Sequence, residues 1–236
     1  MNEPPRLVQV RQHVLKRNDV AARALRARFR EAGTYVVSLV SSPGSGKTAF
    51  LEKVLGMIRE RHRVAALVGD LETDNDARRL ARSGAPVKQI ITGTVCHLEA
   101  EMVATALGES EWGALDYLFI ENVGNLVCPA NFDLGEDLRL VLFSVTEGED
   151  KPLKYPTIFN TADVAILTKM DLAPAAEFDA EAAHRNIQAV RPGMEIFHVS
   201  AKTGEGLERW LGFLHSRHSA ARLGGAPSLA SQDFSA

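Results

Sequence analysis

Ser41-Ser42-Pro43-Gly44-Ser45-Gly46-Lys47-Thr48 is the stretch that decides the fold. Gly44 and Gly46 let backbone N–H groups converge on an anion where a side chain would block the approach. Lys47 adds a point charge for the β- and γ-phosphates of a nucleotide, and the Thr48 hydroxyl can ligate magnesium. Pro43, Gly44, Ser45, Gly46, Lys47 and Thr48 are therefore the expected phosphate-contacting residues. Ser41 stands where the strict pattern has glycine. The context is right on both sides: Tyr35-Val36-Val37-Ser38-Leu39-Val40 reads as a buried strand, and Thr48 to Arg61 as the helix behind the loop. A strand, a Gly-rich turn and a helix make this a P-loop, and the fold an α/β P-loop NTPase.

Outward from that loop the chain alternates strands with helices. Val64–Val68, Gln89–Ile91, Tyr117–Ile120, Leu138–Val145, Val164–Leu167 and Ile196–Val199 read as further strands, with helices from about Asp76, His97, Ala175 and Gly206. Continuous β-branched runs between helices predict a mainly parallel sheet covered on both faces. The segment from Leu7 to Arg30 reads as a helix with Leu7, Val10, Val14 and Leu15 on one stripe and arginines on the other. Such a charge run is a solvated face and carries no nucleic-acid role. Three parts are expected: residues 1–32 as an amino-terminal helix packed on the G domain, 33–218 as the GTPase domain, and 219–236 as a disordered tail, Gly-, Ala- and Ser-rich from Leu223.

Bulk properties agree. At 236 residues and 45% hydrophobic, the chain can bury a full core. A net charge of −3 argues against nucleic acid as a partner. No apolar run approaches the roughly 18 residues that would span a membrane, and no apolar leader follows Met1-Asn2-Glu3-Pro4-Pro5. Two cysteines cannot build a disulfide framework. The expectation is a cytoplasmic chain with reduced thiols.

The base is read from Leu167-Thr168-Lys169-Met170-Asp171, at the end of a strand. The Asp171 carboxylate can accept from N1–H and the exocyclic amine of guanine, whereas adenine offers an acceptor at N1 and leaves it unpaired. The Lys169 stem can cover the base. Ser200-Ala201-Lys202 follows the next strand as a second guanine loop, with the Ala201 N–H aimed at O6. Thr168 replaces the usual Asn of Asn-Lys-x-Asp. GTP and GDP are thus the expected nucleotides. Glu121 closes a buried strand, where a carboxylate can hold magnesium through water, and Gly124 completes Glu-x-x-Gly. Asp74 is a helix N-cap candidate. Asp70, after Gly69, is the candidate for positioning magnesium-bound or attacking water. Lys47, Asp70 and Glu121 form the candidate catalytic set, and Thr48, Asp70 and Glu121 the magnesium set.

Both cysteines lie beside this machinery. Cys96 adjoins His97, and Cys128 follows Glu121 by a few residues. In a strand, Cys96 and His97 would point to opposite faces, so joint ligation requires a turn or a helix start. Three side chains leave a tetrahedral or square-planar site incomplete, to be finished by water or a second subunit across a twofold axis. Thiolate and imidazole donors suit nickel and zinc alike.

Five segments together carry a family resemblance: Ser41–Thr48, Gly69-Asp70-Leu71-Glu72-Thr73-Asp74-Asn75-Asp76-Ala77, Cys96-His97-Leu98-Glu99-Ala100, Glu121-Asn122-Val123-Gly124-Asn125-Leu126-Val127-Cys128-Pro129 and Glu147-Gly148-Glu149-Asp150-Lys151-Pro152. In combination they resemble the HypB family of hydrogenase nickel-incorporation GTPases, from the first helix to about Arg217. The resemblance implies a SIMIBI-like homodimeric GTPase, slow in intrinsic turnover. It implies delivery of nickel to the large subunit of nickel-iron hydrogenase, alongside other nickel-delivery maturation proteins. It also implies nickel or zinc ligation by Cys96, His97 and Cys128 near the dimer interface. Many members carry an amino-terminal cysteine motif or a histidine-rich stretch. This chain has neither, so metal storage by such a segment is not expected. Two other readings stand beside it: a urease-type nickel GTPase, whose Cys-Pro-His motif Val95-Cys96-His97 does not fit, and a non-enzymatic metal binder using guanine nucleotide only as a structural ligand. A P-loop small-molecule kinase would lack the Lys169/Asp171 and Ala201 loops.

Overall fold

A computed structural model describes residues 6–72 and 74–223, with side chains from residue 12 onward. Seven strands form one sheet in the order β3-β2-β4-β1-β5-β6-β7. They are β1 (Tyr35–Ser41), β2 (Val64–Asp70), β3 (Val87–Ile91), β4 (Tyr117–Glu121), β5 (Leu138–Ser144), β6 (Val164–Thr168) and β7 (Glu195–His198). Every neighbouring pair is parallel. Eight helices cover the sheet: α1 (Arg6–Ala32), α2 (Lys47–Ile58), α3 (Asn75–Ala81), α4 (Ala100–Gly108), α5 (Lys151–Lys154), α6 (Pro156–Thr161), α7 (Ala180–Val190) and α8 (Leu207–Arg222).

The period of two along β1 shows why the strands read as unbroken apolar runs. Val37 and Leu39 face a core built with Phe50, Leu51, Leu55, Trp210 and Leu214 from α2 and α8. Val36 faces the other way, onto Ala22, Leu25 and Phe29 of α1 and Val103 of α4. Val40 joins Ile158 and Phe159 of α6 and Ala183 and Ile187 of α7. A strand buried on both faces leaves no polar positions to alternate with.

Several boundaries differ from the sequence reading. The buried stripe of α1 is Asn18, Ala22, Leu25 and Phe29. Val14 is 40% exposed, and the side chains of Leu7 and Val10 lie outside the described residues. The helix expected from His97 begins at Ala100, because Cys96 and His97 occupy a bend. The helix expected from Ala175 begins at Ala180, where the Asp179 carboxylate accepts from Ala182 N at 2.9 Å. Asp74 does occupy the N-cap position of α3, but its carboxylate pairs with Arg78 at 2.7 Å rather than capping. The short helices α5 and α6 escape a search for long periodic segments; each carries proline at its start, at Pro152 and Pro156. Helix α8 runs on to Arg222, through residues 219–222 expected to be tail. Residues 224–236 lie outside the described residues. Among the described residues no helix is long and apolar enough to cross a membrane.

Candidate functional site

The carboxyl ends of β1, β2 and β4 open onto a cavity of about 510 Å³. Pro43 to Thr48, Asp70, Glu121, Gly124 and Lys169 all line it. Gly44 and Gly46 have φ of 73° and 94°, a region that a Cβ disfavours, and Gly46 is the residue from which α2 starts. The loop therefore presents its N–H groups at a helix N-terminus, the arrangement that holds phosphate.

Ser41, the departure from the strict motif, is fully buried. Its hydroxyl accepts from Lys47 Nζ at 3.0 Å and from Ser45 Oγ at 2.5 Å, and donates to the Ser42 carbonyl at 2.7 Å. It holds the Lys47 ammonium at the mouth of the loop. A second tie runs from Ser42 Oγ to the Glu147 carboxylate, which also accepts from Ser144 N at 2.8 Å and pairs with Lys151 at 3.0 Å.

Thr48 Oγ1 donates to Glu121 Oε1 at 2.7 Å, and Glu121 Oε2 is buried with no hydrogen-bond partner. Burial is the main cause that raises the Glu121 carboxyl to about 7, with the Lys47 charge and the Thr48 hydrogen bond pulling the other way. An orphaned buried carboxylate oxygen beside a threonine hydroxyl is a donor set that fits magnesium. Asp70 closes β2, accepts from Glu72 N at 3.2 Å, and faces the same cavity. Asp76 and Arg79 of α3 also line it, and the sequence reading missed both. Asp76 stood within the quoted Asp74-Asn75-Asp76 run, whereas nothing in sequence distinguishes Arg79 from its neighbour Arg78.

Lys169 adopts φ 58°, uncommon for a residue with a Cβ, and its ammonium donates to the Gly44 carbonyl at 2.7 Å. The Thr168 hydroxyl donates to the Ser45 carbonyl at 2.5 Å and so joins β6 to the phosphate loop. The Asp171 carboxylate accepts from Ser200 Oγ at 2.6 Å and faces Lys202 Nζ at 3.9 Å, so both candidate guanine loops meet. Asp171, Ala201 and Lys202 lie outside the lining of the phosphate cavity, which Lys169 joins to them.

Cys96, His97 and Cys128 also come together. Their donor atoms lie within 4.8 Å of one another, all three half-buried. The sulfurs of Cys96 and Cys128 touch as a disulfide with Cα atoms 6.3 Å apart, where sequence leads us to expect free thiols. The same backbone separation lets both thiolates face one ion. Asn125 Oδ1 accepts from Val127 N at 2.8 Å and Cys128 N at 3.2 Å, fixing the turn that presents Cys128. The His97 ring lies on Phe132, centroids 3.8 Å apart. Burial lowers its pKa despite Glu99 nearby, which keeps the imidazole in its neutral, ligating form. His97 Nε2 is buried without a hydrogen-bond partner, its contact to Glu99 being long at 3.6 Å. An orphaned ring nitrogen beside two sulfurs fits nickel or zinc.

Asn122, which sequence reading also passed over, connects the two centres. It is 2% exposed, follows Glu121 directly, and its Oδ1 accepts from Leu98 N at 3.0 Å and Val123 N at 2.9 Å. Leu98 in turn packs on Gly69, where an added Cβ would come within 2.7 Å of it. Gly124 does not adopt the left-handed φ of a hinge glycine; it needs the absence of a Cβ, which would lie 3.0 Å from Pro43 Cα.

Fold and cavity together define a P-loop nucleotide-binding protein with a cysteine–histidine cluster at its edge. The family described as CobW/HypB/UreG, nucleotide-binding domain, matches residues 35–198. Hydrogenase maturation factor HypB of Azotobacter vinelandii is 47% identical over 218 residues, covering 92% of this chain and 72% of that protein. The hydrogenase/urease maturation factor HypB of Helicobacter hepaticus is 40% identical over 90% of this chain and 88% of its own length. The crystal structure of HypB from Helicobacter pylori in complex with nickel superposes with a TM-score of 0.82 at 38% identity, covering 91% of this chain and 100% of that one. The chain belongs to the HypB family of hydrogenase maturation factors.

Proposed function

We propose that this chain is a GTP-hydrolysing nickel chaperone that serves the maturation of nickel-iron hydrogenase, and that nucleotide state governs its grip on the metal. The observation that carries the reading is a single segment, Glu121 to Cys128, with one end in the phosphate cavity and the other in the thiolate–imidazole cluster. Lys47 and the loop N–H groups bind and stabilise the transferring phosphoryl group, and Thr48 and Glu121 hold magnesium, which supplies charge neutralisation at the phosphates when bound. Asp70 orients the attacking water. Arg79 adds a cation to the cavity rim. Among the described residues no histidine lines the cavity, and the carboxylates of Asp70 and Glu121 are engaged with water and magnesium, which fits slow intrinsic turnover. Asp171, Lys169, Ala201 and Lys202 select and cover guanine.

With the Cys96–Cys128 disulfide reduced by a cellular dithiol or glutathione, Cys96, His97 and Cys128 bind Ni2+, with Zn2+ as a competing ion, and water or a second copy of the chain in a homodimer completes the coordination. Helicobacter relatives named for both hydrogenase and urease favour a second delivery target, urease. The test is to titrate Ni2+ into protein loaded with GDP and with a non-hydrolysable GTP analogue, measuring affinity and mass together. The reading expects affinity to differ between the two states. Equal affinity and equal mass would separate the GTPase from the metal site.

A further inference from the structure

On the opposite flank of the sheet, two imidazoles face each other through the same ring atom. His184 Nε2 on α7 and His198 Nε2 at the end of β7 are 2.6 Å apart, with ring centroids 4.9 Å apart and planes at 87°. We propose that His184 and His198 form a second, thiolate-free clamp for a borderline divalent transition-metal ion, Ni2+ or Zn2+, completed by water. The proposal involves neither Cys96, His97 nor Cys128, and it stands or falls apart from the chaperone reading.

Two ring nitrogens converge this way only across a shared proton or a shared ion. With metal–nitrogen bonds of about 2.0–2.1 Å, a 2.6 Å separation subtends roughly 80° at the ion. Opening the pair by about 0.3 Å brings that angle to the roughly 90° of cis ligands, and by about 0.7 Å to the tetrahedral value, displacements that side-chain rotation supplies. The supports are stiff: α7 is capped by Asp179, and β7 is paired to β6 through His198 itself. Both rings are half-buried, so an ion has access while the rings keep their orientation.

The surrounding charge is mixed. Glu181 lies one turn before His184 on the same helix, and it and Glu205 both act on His198. Arg209, whose guanidinium lies over the Phe197 ring at 5.2 Å, acts on His198 more than either glutamate and opposes them. Burial first, then the neighbouring His184, lower the His198 pKa and keep it neutral, as ligation requires.

The test uses the full chain carrying Cys96→Ser, His97→Ala and Cys128→Ser, dialysed to equilibrium against Ni2+ alone and Zn2+ alone. One ion per chain should remain, with only nitrogen and oxygen ligands by X-ray absorption. Adding His184→Gln should weaken its binding by more than roughly tenfold, since even outer-shell partners of a ligand are worth 10–100-fold, and adding His198→Gln as well should abolish it. A parallel measurement guards against misfolding of the triple variant. His184→Gln with His198→Gln in the otherwise unaltered chain should lower the stoichiometry by one ion and leave thiolate charge-transfer bands in place. An ion count unaffected by these two histidines in both backgrounds would overturn the proposal.

Discussion

Asn122→Ala should uncouple the two centres without touching a ligand of either. The substitution removes one buried oxygen that accepts from two backbone N–H groups, Leu98 at 3.0 Å and Val123 at 2.9 Å. A buried donor left unsatisfied costs about 1–3 kcal/mol, and partial access of water places the pair at about 3 kcal/mol together. For a chain of this length that corresponds to a loss of roughly 6–12 °C in Tm. The more telling readout is the ratio of Ni2+ affinities with GDP and with a GTP analogue. Leu98 N lies on the loop of Cys96 and His97, one residue past His97, so its release frees that loop from the strand end that carries Glu121. The ratio should collapse towards one, and by reciprocity the effect of Ni2+ on nucleotide affinity should vanish with it. Asn122→Asp keeps an acceptor at the same place and should restore most of both. A variant Asn122→Ala with unaltered Tm and an unaltered affinity ratio would refute the linkage.

Three further outcomes rest on the same geometry. The raised Glu121 carboxyl stabilises nucleotide-free protein most below its ordinary 4.5, and that contribution is lost as pH rises through about 7; it amounts to roughly 3 kcal/mol at 1.36 kcal/mol per unit. Thermal melts of nucleotide- and magnesium-free protein should therefore lose stability across that window in the native chain and not in Glu121→Gln; parallel pH profiles would count against it. Gly124→Ala must push Pro43 aside, because its Cβ would lie 3.0 Å from Pro43 Cα; GTP turnover should fall more than tenfold, on the order of 1.4 kcal/mol per decade, with the phosphate loop displaced in nucleotide-binding assays. Asp171→Asn should weaken GDP binding while relaxing selectivity against xanthine-type nucleotides, and an unchanged GDP affinity would move the base site elsewhere.

Sequence made the phosphate loop, the two candidate base loops and the cysteine–histidine cluster legible because each depends on a residue type that few alternatives can replace. Backbone approach to phosphate needs Gly44 and Gly46, a soft ion needs sulfur or imidazole, and guanine needs a carboxylate. Asn122 was not legible, since an amide that accepts two backbone bonds has no sequence signature until the loops it joins are placed. Ser41 and Thr168 looked like weakened motif positions, yet each hydroxyl finds a backbone or side-chain partner within the phosphate loop. The stripe of α1 shifted for a physical reason: the helix buries an asparagine, Asn18, whose amide bonds the Asp133 carbonyl and Ala100 N, and a hydrophobic count passes over such a residue.

Two routes join the phosphate cavity to the cysteine–histidine cluster, and they differ in stiffness. Along the chain, Glu121 and Cys128 are separated by a loop in which Gly124 lies against Pro43, with no room for a Cβ between them. Across the sheet, Asn122 holds Leu98 N, and Leu98 fills the space over Gly69, immediately before Asp70. The second route is buried throughout, with Asn122 2% and Leu98 0% exposed, and a packed core passes on a displacement rather than absorbing it. A rearrangement at Asp70 or Glu121 on loss of the γ-phosphate thus reaches His97 through one side chain and one hydrogen bond. Cys128 is reached separately, through the turn that Asn125 fixes. The loop of Cys96 and His97 is held from both β2 and β4, and that of Cys128 from β4 alone, so once the Cys96–Cys128 disulfide is reduced a small motion of β2 against β4 is expected to change the distance between the two sulfurs. Under the proposed coupling that change would open or close the metal site without unfolding either loop, a two-state device of the kind nucleotide switches use.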